Sequence, residues 1–567
     1  MKNNLSKTLV YLTKKLSIQT TAIFFTTIFF TVIAVNSQSL DGGRFTGSFQ
    51  FESQTYKSDS LMEAKKVNEQ ILSNGFFNLN YRNGGITAGM RYEHYLNPLQ
   101  GLDTRYRGQG VPYRFISYSN NFIEVTAGSY YEQFGSGMIF RTFEEKALGL
   151  DNAMEGARFK IRPNQGVEVV GIWGTQRNFW SQGAGIIRGG DLNLSLNEIF
   201  DDDFISGANI TAGASVISTY QADRDKFLKM PENVLAWSGR AALLGDNYSA
   251  DIEYSHKYNN PNATNSNTYN DGYGIIINGS YFAQGISATL NLHKIDNMSF
   301  RSDRYAKGTE LMLNYIPPLT KQHSYRLATM YPFATQYNGE AGLQAEVMYR
   351  IPRNTKIGGK YGTEVTVNYS RIHSIDTTRI DSFKYESPFF GIGDELYFQD
   401  FNINLNRKFT NDFKMAASYY NIIYDRDRME NEGVPNSGKV YANIFAVEGT
   451  YRLTNKYALK GEIQHQWATQ DSAITSHDLI NGNWLGLLAE LTISPGWFIT
   501  VYDDWNYGNS DKGRQIHYFN GNVAYTTGST RLALGYGRQR AGILCVGGVC
   551  RQVPASNGFY FAISTSF

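Results

Sequence analysis

The sequence predicts an all-β fold, a large single-chain transmembrane antiparallel β-barrel. Three observations carry that prediction: strand-length runs that alternate apolar with polar residues, connections that alternate between long and tight, and a chain that ends on a strand, NGFYFAISTSF, Asn557 to Phe567. In that last run Phe559, Phe561, Ile563 and Phe567 face one way, and Tyr560, Ala562, Ser564 and Ser566 the other, because successive strand side chains alternate faces. Chain ends fray unless something ties them down, so a strand that must pair to its final residue is what barrel closure needs.

At the other end, Lys2, Lys7, Lys14 and Lys15 precede the apolar run Thr21–Val35, which finishes in small residues. This is the pattern of a secretory signal peptide, expected over residues 1–37. The run is shorter than the roughly 20 residues a spanning helix needs. No cysteine stands near the expected cleavage point to make a lipoprotein, so the mature chain, residues 38–567, is expected to be barrel throughout.

Composition agrees with an exported barrel. Mean hydropathy is −0.38 and no later stretch reaches 18 apolar residues, which excludes helical spans. Yet aromatics make up 14% of the chain, with 39 Tyr and 55 Gly, as expected where lipid-facing and lumen-facing residues alternate and average to a mild hydropathy. A net charge of +2 produces no large field, so nucleic acid is not expected as a partner.

The alternation holds strand by strand. Ile286, Ala288, Leu290 and Leu292 oppose Ser287, Thr289, Asn291 and His293; Leu343, Ala345, Val347 and Tyr349 oppose Gln344, Glu346, Met348 and Arg350. Val365, Val367 and Tyr369 oppose Glu364, Thr366, Asn368 and Ser370, and Leu459, Ile463 and Trp467 oppose Lys460, Glu462, Gln464 and Gln466. Apolar residues should therefore face lipid, and polar ones the lumen. The connections supply the topology: long polar stretches such as Lys57–Gln70, Leu96–Val111, Glu132–Ala153 and Asn259–Asp271 alternate with tight turns at Asn83–Gly85, Ser119–Asn121, Phe282–Gly285, Thr410–Asp412 and Pro495–Gly496. Barrels of the outer membrane place short turns on the periplasmic side and longer loops outside. Counting with that parity gives about 24–26 strands, 26 favoured, with an extra strand required around Ser324–Pro332 and a long turn at Leu194–Ile205. An even number leaves both mature termini periplasmic.

Two segments, YYEQFGSGMIFRTFEEKALGLDNAMEGARF (Tyr130–Phe159) and CVGGVCRQVPASNGFYFAISTSF (Cys545–Phe567), resemble an uncharacterised family of Bacteroidetes-type outer-membrane β-barrel proteins. The resemblance extends over nearly the whole mature chain. It implies a Gram-negative outer membrane as the location and lipid and the barrel assembly machinery as partners, but no activity. The terminal Phe567 resembles the assembly signal which that machinery reads.

Enzymatic motifs are absent: there is no nucleophile elbow, metal-binding His pair, phosphate loop or zinc spacing in a suitable context, and no cofactor is expected. The glycines of Gly135–Gly137 read as a bend. Asp201, Asp202 and Asp203 read as a solvated acidic turn, since calcium ligands come at spaced positions around a glycine turn. Asp503 and Asp504 must point to opposite faces of a strand and cannot act as a pair. Asn262 is a glycosylation sequon in form only. Cys545 and Cys550 lie in a Gly-containing loop of an exported, oxidising compartment, so a disulfide is expected between them. A metal thiolate pair or redox dithiol would need ligands or a spacing that this loop lacks.

Two functions remain. One is a porin-like channel or transporter for polar solutes, lined by the candidate lumen charges Arg158, Lys160, Glu346, Arg350, Glu364, Lys460 and Glu462, and narrowed by a constriction loop carrying Arg141, Glu144, Glu145 and Lys146. The absence of a separate plug domain before the first strand disfavours an importer of the TonB type. The alternative is a non-transporting barrel that docks secretion or envelope proteins.

Overall fold

A computed structural model describes residues 39–40, 42–200, 207–430, 437–471 and 481–567. The expected signal peptide, residues 1–37, and the acidic run Asp201–Asp203 lie outside the described residues. The main sheet contains 26 strands, of which Ser39–Leu40 and Ser181–Gln182 are two-residue flaps, leaving 24 in the wall. Every wall strand runs antiparallel to its neighbours. The sheet closes where the last strand, Ser556–Ser566, pairs with the first, Gly43–Gln54, in a register from Ser48 opposite Ser566 to Gln54 opposite Tyr560. Gly47 and Phe567 add a reciprocal pair of backbone hydrogen bonds at 3.0 Å. The terminal aromatic is thus part of the seam, and its ring packs where a Cβ on Gly47 would stand, 2.5 Å away. Closure matters because a free strand edge in lipid leaves backbone groups unsatisfied at several kcal/mol each.

Alternation sorts the wall as the sequence requires. Leu290, Val347, Leu459, Ile463, Trp467 and Leu534 are exposed on the outer face, while Gln464 and Gln466 on the same strand as Ile463 are fully covered inside. Tyr248, Tyr349, Tyr451, Tyr457 and Trp497 ring the exterior near the tight turns, and Trp173, Trp237, Tyr441, Trp467 and Phe519 ring it nearer the long connections. Rings able to lie between apolar and polar surroundings at both ends of an apolar band are the signature of a membrane-spanning barrel. Ile563 also points outward, but its neighbours on the closing seam cover it to 8% exposure.

The count of 24 differs from the favoured 26, and one of the two strands lost is identifiable. Residues 297–338 form a single connection between strands Ile286–Asp296 and Gly339–Ile351, so the extra strand expected around Ser324–Pro332 does not exist. Tyr325, Leu327, Ala328, Met330 and Tyr331 are buried there instead, around a short 3-10 turn at Ala328–Met330. A strand in that stretch would need lipid on one side; the apolar residues find cover within the barrel. Long and tight connections then alternate along most of the chain, with residues 196–207 and 352–362 lengthened on the tight-turn side. The turn after Ile186–Ser195 is lengthened by a short helix, Leu196–Phe200, before Ala208–Tyr220 begins.

The core is accordingly inside the lumen, in two large clusters towards the long-connection end and a smaller aromatic one around Phe76, Tyr95 and Tyr106. In the first, Met298, Phe300, Leu313 and Ile316 of segment 297–338 meet Phe134, Met138, Ile139 and Phe140 of connection 131–153 against inward wall residues such as Ile172, Ile187, Ile217 and Ile295. In the second, Leu319, Tyr325, Leu327, Tyr331 and Phe333 pack on Ile372, Phe398, Tyr424, Ile444 and Trp484. The expectation of a polar inner face therefore holds only for the other half of the lumen. A wall that faces an internal plug is apolar on both sides, as in Ile275–Ile277, where Ile277 is exposed outside and Ile276 buried inside.

Candidate functional site

The lumen is the site, and segment 297–338 is its centre. Its first part is a hairpin: Leu313 N–H donates to Phe300 O at 2.9 Å and Ser302 N–H to Leu311 O at 3.0 Å. Connection 131–153 adds to it, with Arg141 N–H donating to Leu313 O at 2.8 Å and Tyr315 N–H to Gly137 O at 2.9 Å. Asn314 ties both parts down through its amide, donating to Met298 O at 2.8 Å and Met138 O at 3.1 Å. The Gly135–Gly137 bend turns the chain here, and Ser136 N–H donates to the wall carboxylate Glu253 at 2.7 Å. Gly135 sits at φ +53°, where a Cβ would stand 2.6 Å from that carboxylate, so the bend requires glycine.

The second part is held by charge. Arg326 reaches the wall carboxylates Asp504 at 3.0 Å and Glu462 at 3.1 Å, and Lys321 meets Glu346 at 2.5 Å. Leu327 N–H donates to Gln464 Oε1 at 3.0 Å, and Gln466 donates to the Tyr331 hydroxyl at 2.8 Å. Asp504 thus faces in, and Asp503 faces out to His517 at 2.6 Å, the opposition that strand geometry demands.

Each expected lumen charge lies on the inner face towards the tight-turn end, and each has a partner. Arg158 pairs with Glu124 and Glu132, Lys160 with Glu168 at 2.9 Å, and Arg350 with Glu364 at 3.4 Å. Lys460 sits between Glu448 at 2.8 Å and Glu462 at 3.7 Å. Together with Glu346 these residues line a vestibule of compensated charge below the plug. The four residues of the expected constriction loop separate in role. Arg141 stacks over the Phe143 and Tyr315 rings at 4.9 and 4.0 Å, Glu145 caps its own turn, and Lys146 donates to Gln50 of the first strand at 2.7 Å. Glu144 enters a cluster that sequence reasoning missed.

That cluster joins Arg91 and Glu93 of strand Ile86–Leu96, Arg177 of strand Val167–Asn178, and Glu144 and Asp151 of connection 131–153. Arg91 bonds Glu93 at 2.7 Å, Glu144 at 3.0 Å and Asp151 more closely still; Arg177 bonds Glu93 at 2.7 Å and Asp151 at 2.5 Å. The three carboxylates converge to within 4.8 Å of one another, and two guanidiniums lie among them. Burial pushes the Glu144 carboxyl above the usual carboxylate range and draws Lys146 below the usual lysine range. No sequence spacing could reveal it, because its members come from three distant stretches.

Cys545 and Cys550 form a disulfide that closes the hairpin of Gly542–Val546 and Val549–Val553. Its tip bends onto the plug: the Tyr315 hydroxyl donates to Gly547 O at 2.6 Å, and Gly548 stands against Pro318.

The pattern of a family of unknown function (DUF6029) matches residues 14–567. No curated protein matches the chain. Among solved structures, a ferric enterobactin receptor variant from Pseudomonas aeruginosa is 9% identical with a TM-score of 0.42, over 92% of this chain and 81% of that one. The siderophore receptor PirA from Pseudomonas aeruginosa is 9% identical with a TM-score of 0.39, over 92% and 80%. The outer membrane transporter YddB from Escherichia coli is 8% identical with a TM-score of 0.37, over 94% and 81%.

Proposed function

We propose, for a chain that belongs to the DUF6029 family of unknown function, the role of an outer-membrane barrel that passes small polar solutes through a lumen closed at rest by its own segment 297–338. An edge-free wall with an apolar, aromatic-bordered exterior is stable only across a bilayer, and a single-chain barrel of this kind belongs in the outer membrane of a Gram-negative cell. The long connections lie outside and both mature termini in the periplasm. An impermeant thiol reagent on intact cells should label Ser266→Cys and spare Asp412→Cys; the reverse pattern would invert the orientation.

One observation carries the transport reading: below the plug the lumen is a charged vestibule, and the plug is fastened to the wall above it by apolar packing, ion pairs and single hydrogen bonds rather than by strand pairing. The Lys321–Glu346 pair, about one-third exposed, contributes on the order of 1 kcal/mol, while Arg326 between Glu462 and Asp504 is the more buried latch. The test joins Arg326→Cys to Asp504→Cys with a short reducible cross-linker in proteoliposomes. Arabinose and glutamate flux should stop in the cross-linked protein and return on reduction. Flux that ignores the cross-link, or a native protein that passes neither solute, would overturn transport. That outcome would leave the docking role, for which Phe390 at 88% exposure and Ile380 at 58% offer an apolar surface on connection 376–391.

A further inference from the structure

A cavity of about 560 Å³ lies inside the barrel at the long-connection end, within the roughly 300–1,000 Å³ typical of small-molecule sites. The plug, from Lys321 to Phe333, forms one side; Tyr502, Asp504 and Tyr518 of the wall form the other; Ile543 and Leu544 of the disulfide hairpin roof it. The roof is seated on the plug by the Tyr315 and Pro318 contacts at the hairpin tip.

The ionic groups around this space are unequal. Lys321, Arg326 and Arg538 each hold a carboxylate, from Glu346, Asp504 and Asp59 respectively. Arg540 also lines the cavity, yet among the described residues the one hydrogen-bond acceptor on its guanidinium is the carbonyl of the adjacent Ala541, at 3.4 Å, with the carboxylates of Asp504 and Glu430 acting on it only through space. A guanidinium that no carboxylate bonds directly keeps most of its donors open, and a carboxylate is the group its planar fork matches. Asp504 is engaged by Arg326 through both oxygens, and its charge, with that of Glu462 beyond it, opposes a dianion. The cavity also has apolar and aromatic lining from Phe333, Ile543, Leu544 and Val553, and the Tyr331 and Tyr518 hydroxyls lie near Arg540.

We infer that this cavity is a binding site for a small amphipathic monocarboxylate, with its carboxylate on Arg540 and its apolar body under the disulfide hairpin. The inference does not require the plug to move, and a protein that binds but fails the flux test above would retain it. The experiment titrates purified full-length protein in nanodiscs with hexanoate and, separately, hexanamide, using calorimetry against empty nanodiscs. Hexanoate should bind at one site per chain, about tenfold or more tighter than hexanamide, as a hydrogen bond to a charged group implies. Arg540→Gln should abolish the difference, whereas Arg540→Lys should keep most of it. Equal affinity for acid and amide, no hexanoate binding to the native protein, or native discrimination in folded Arg540→Gln would each overturn the assignment.

Discussion

Replacing Arg91 by leucine should destabilise the barrel by about 3–5 kcal/mol, the loss expected when one member of a buried ion cluster is removed and its partners stay behind. The side chain is 4% exposed and binds three carboxylates, of which Glu93 is 1% and Asp151 7% exposed. Arg177 would still bond Glu93 and Asp151, while Glu144 would lose its guanidinium partner. The measurement is the urea midpoint of refolded protein in lipid vesicles, with heat-modifiable migration as the criterion of folding. Adding Glu144→Gln to Arg91→Leu should recover part of the loss, because one orphaned charge disappears. A variant as stable as the native protein would mean that the cluster is hydrated rather than buried.

How much of this was legible in the sequence depended on which neighbours a residue answers to. Strands such as Ile286–Asp296 and Tyr457–Gln470 were readable because their outer side chains are apolar and their inner ones largely polar, giving a clean period of two even where the plug covers Gln464 and Gln466. The closing strand was readable for the same reason, with Phe567 tied to Gly47 at its end. Lys460, Glu462, Arg158 and Arg350 were assigned to the inner face by alternation alone, and their partners were not readable: Glu448 lies across a strand pair and Arg326 arrives from the plug. The plug itself was hidden by the rule that revealed the wall. Ser324–Pro332 has strand-like content, and its true environment, the inner faces of Ile372, Ile444 and Trp484, is assembled from distant strands. One local sign did exist. In Lys439–Arg452, Val440, Ala442, Ile444 and Ala446 are apolar on the inward face while Tyr441 and Phe445 are apolar on the outward face, which only an internal core would explain.

The second large effect concerns that plug. Twenty-four strands enclose a bore wider than that of a porin, and barrels of such size conduct freely unless something fills them. Here the filling is the chain's own segment 297–338, with connection 131–153 packed beside it. Removing residues 299–336 and joining Met298 to Tyr337 through a short Gly-Ser linker leaves the wall pairing untouched, since Ile286–Asp296 and Gly339–Ile351 still pair through eleven register positions. Exposed inner residues such as Ile372 and Ile444 lower stability but do not open the wall, and heat-modifiable migration identifies the molecules that have folded. The decisive measurement is planar-bilayer conductance of the native protein and of this folded deletion, side by side in the same salt. A native barrel that is mostly closed, and a deletion that conducts steadily at roughly tenfold or more the native mean, is the predicted result; a native protein that already conducts as a wide open pore, or a folded deletion no more conductive than the native, would contradict a lumen closed by its own plug.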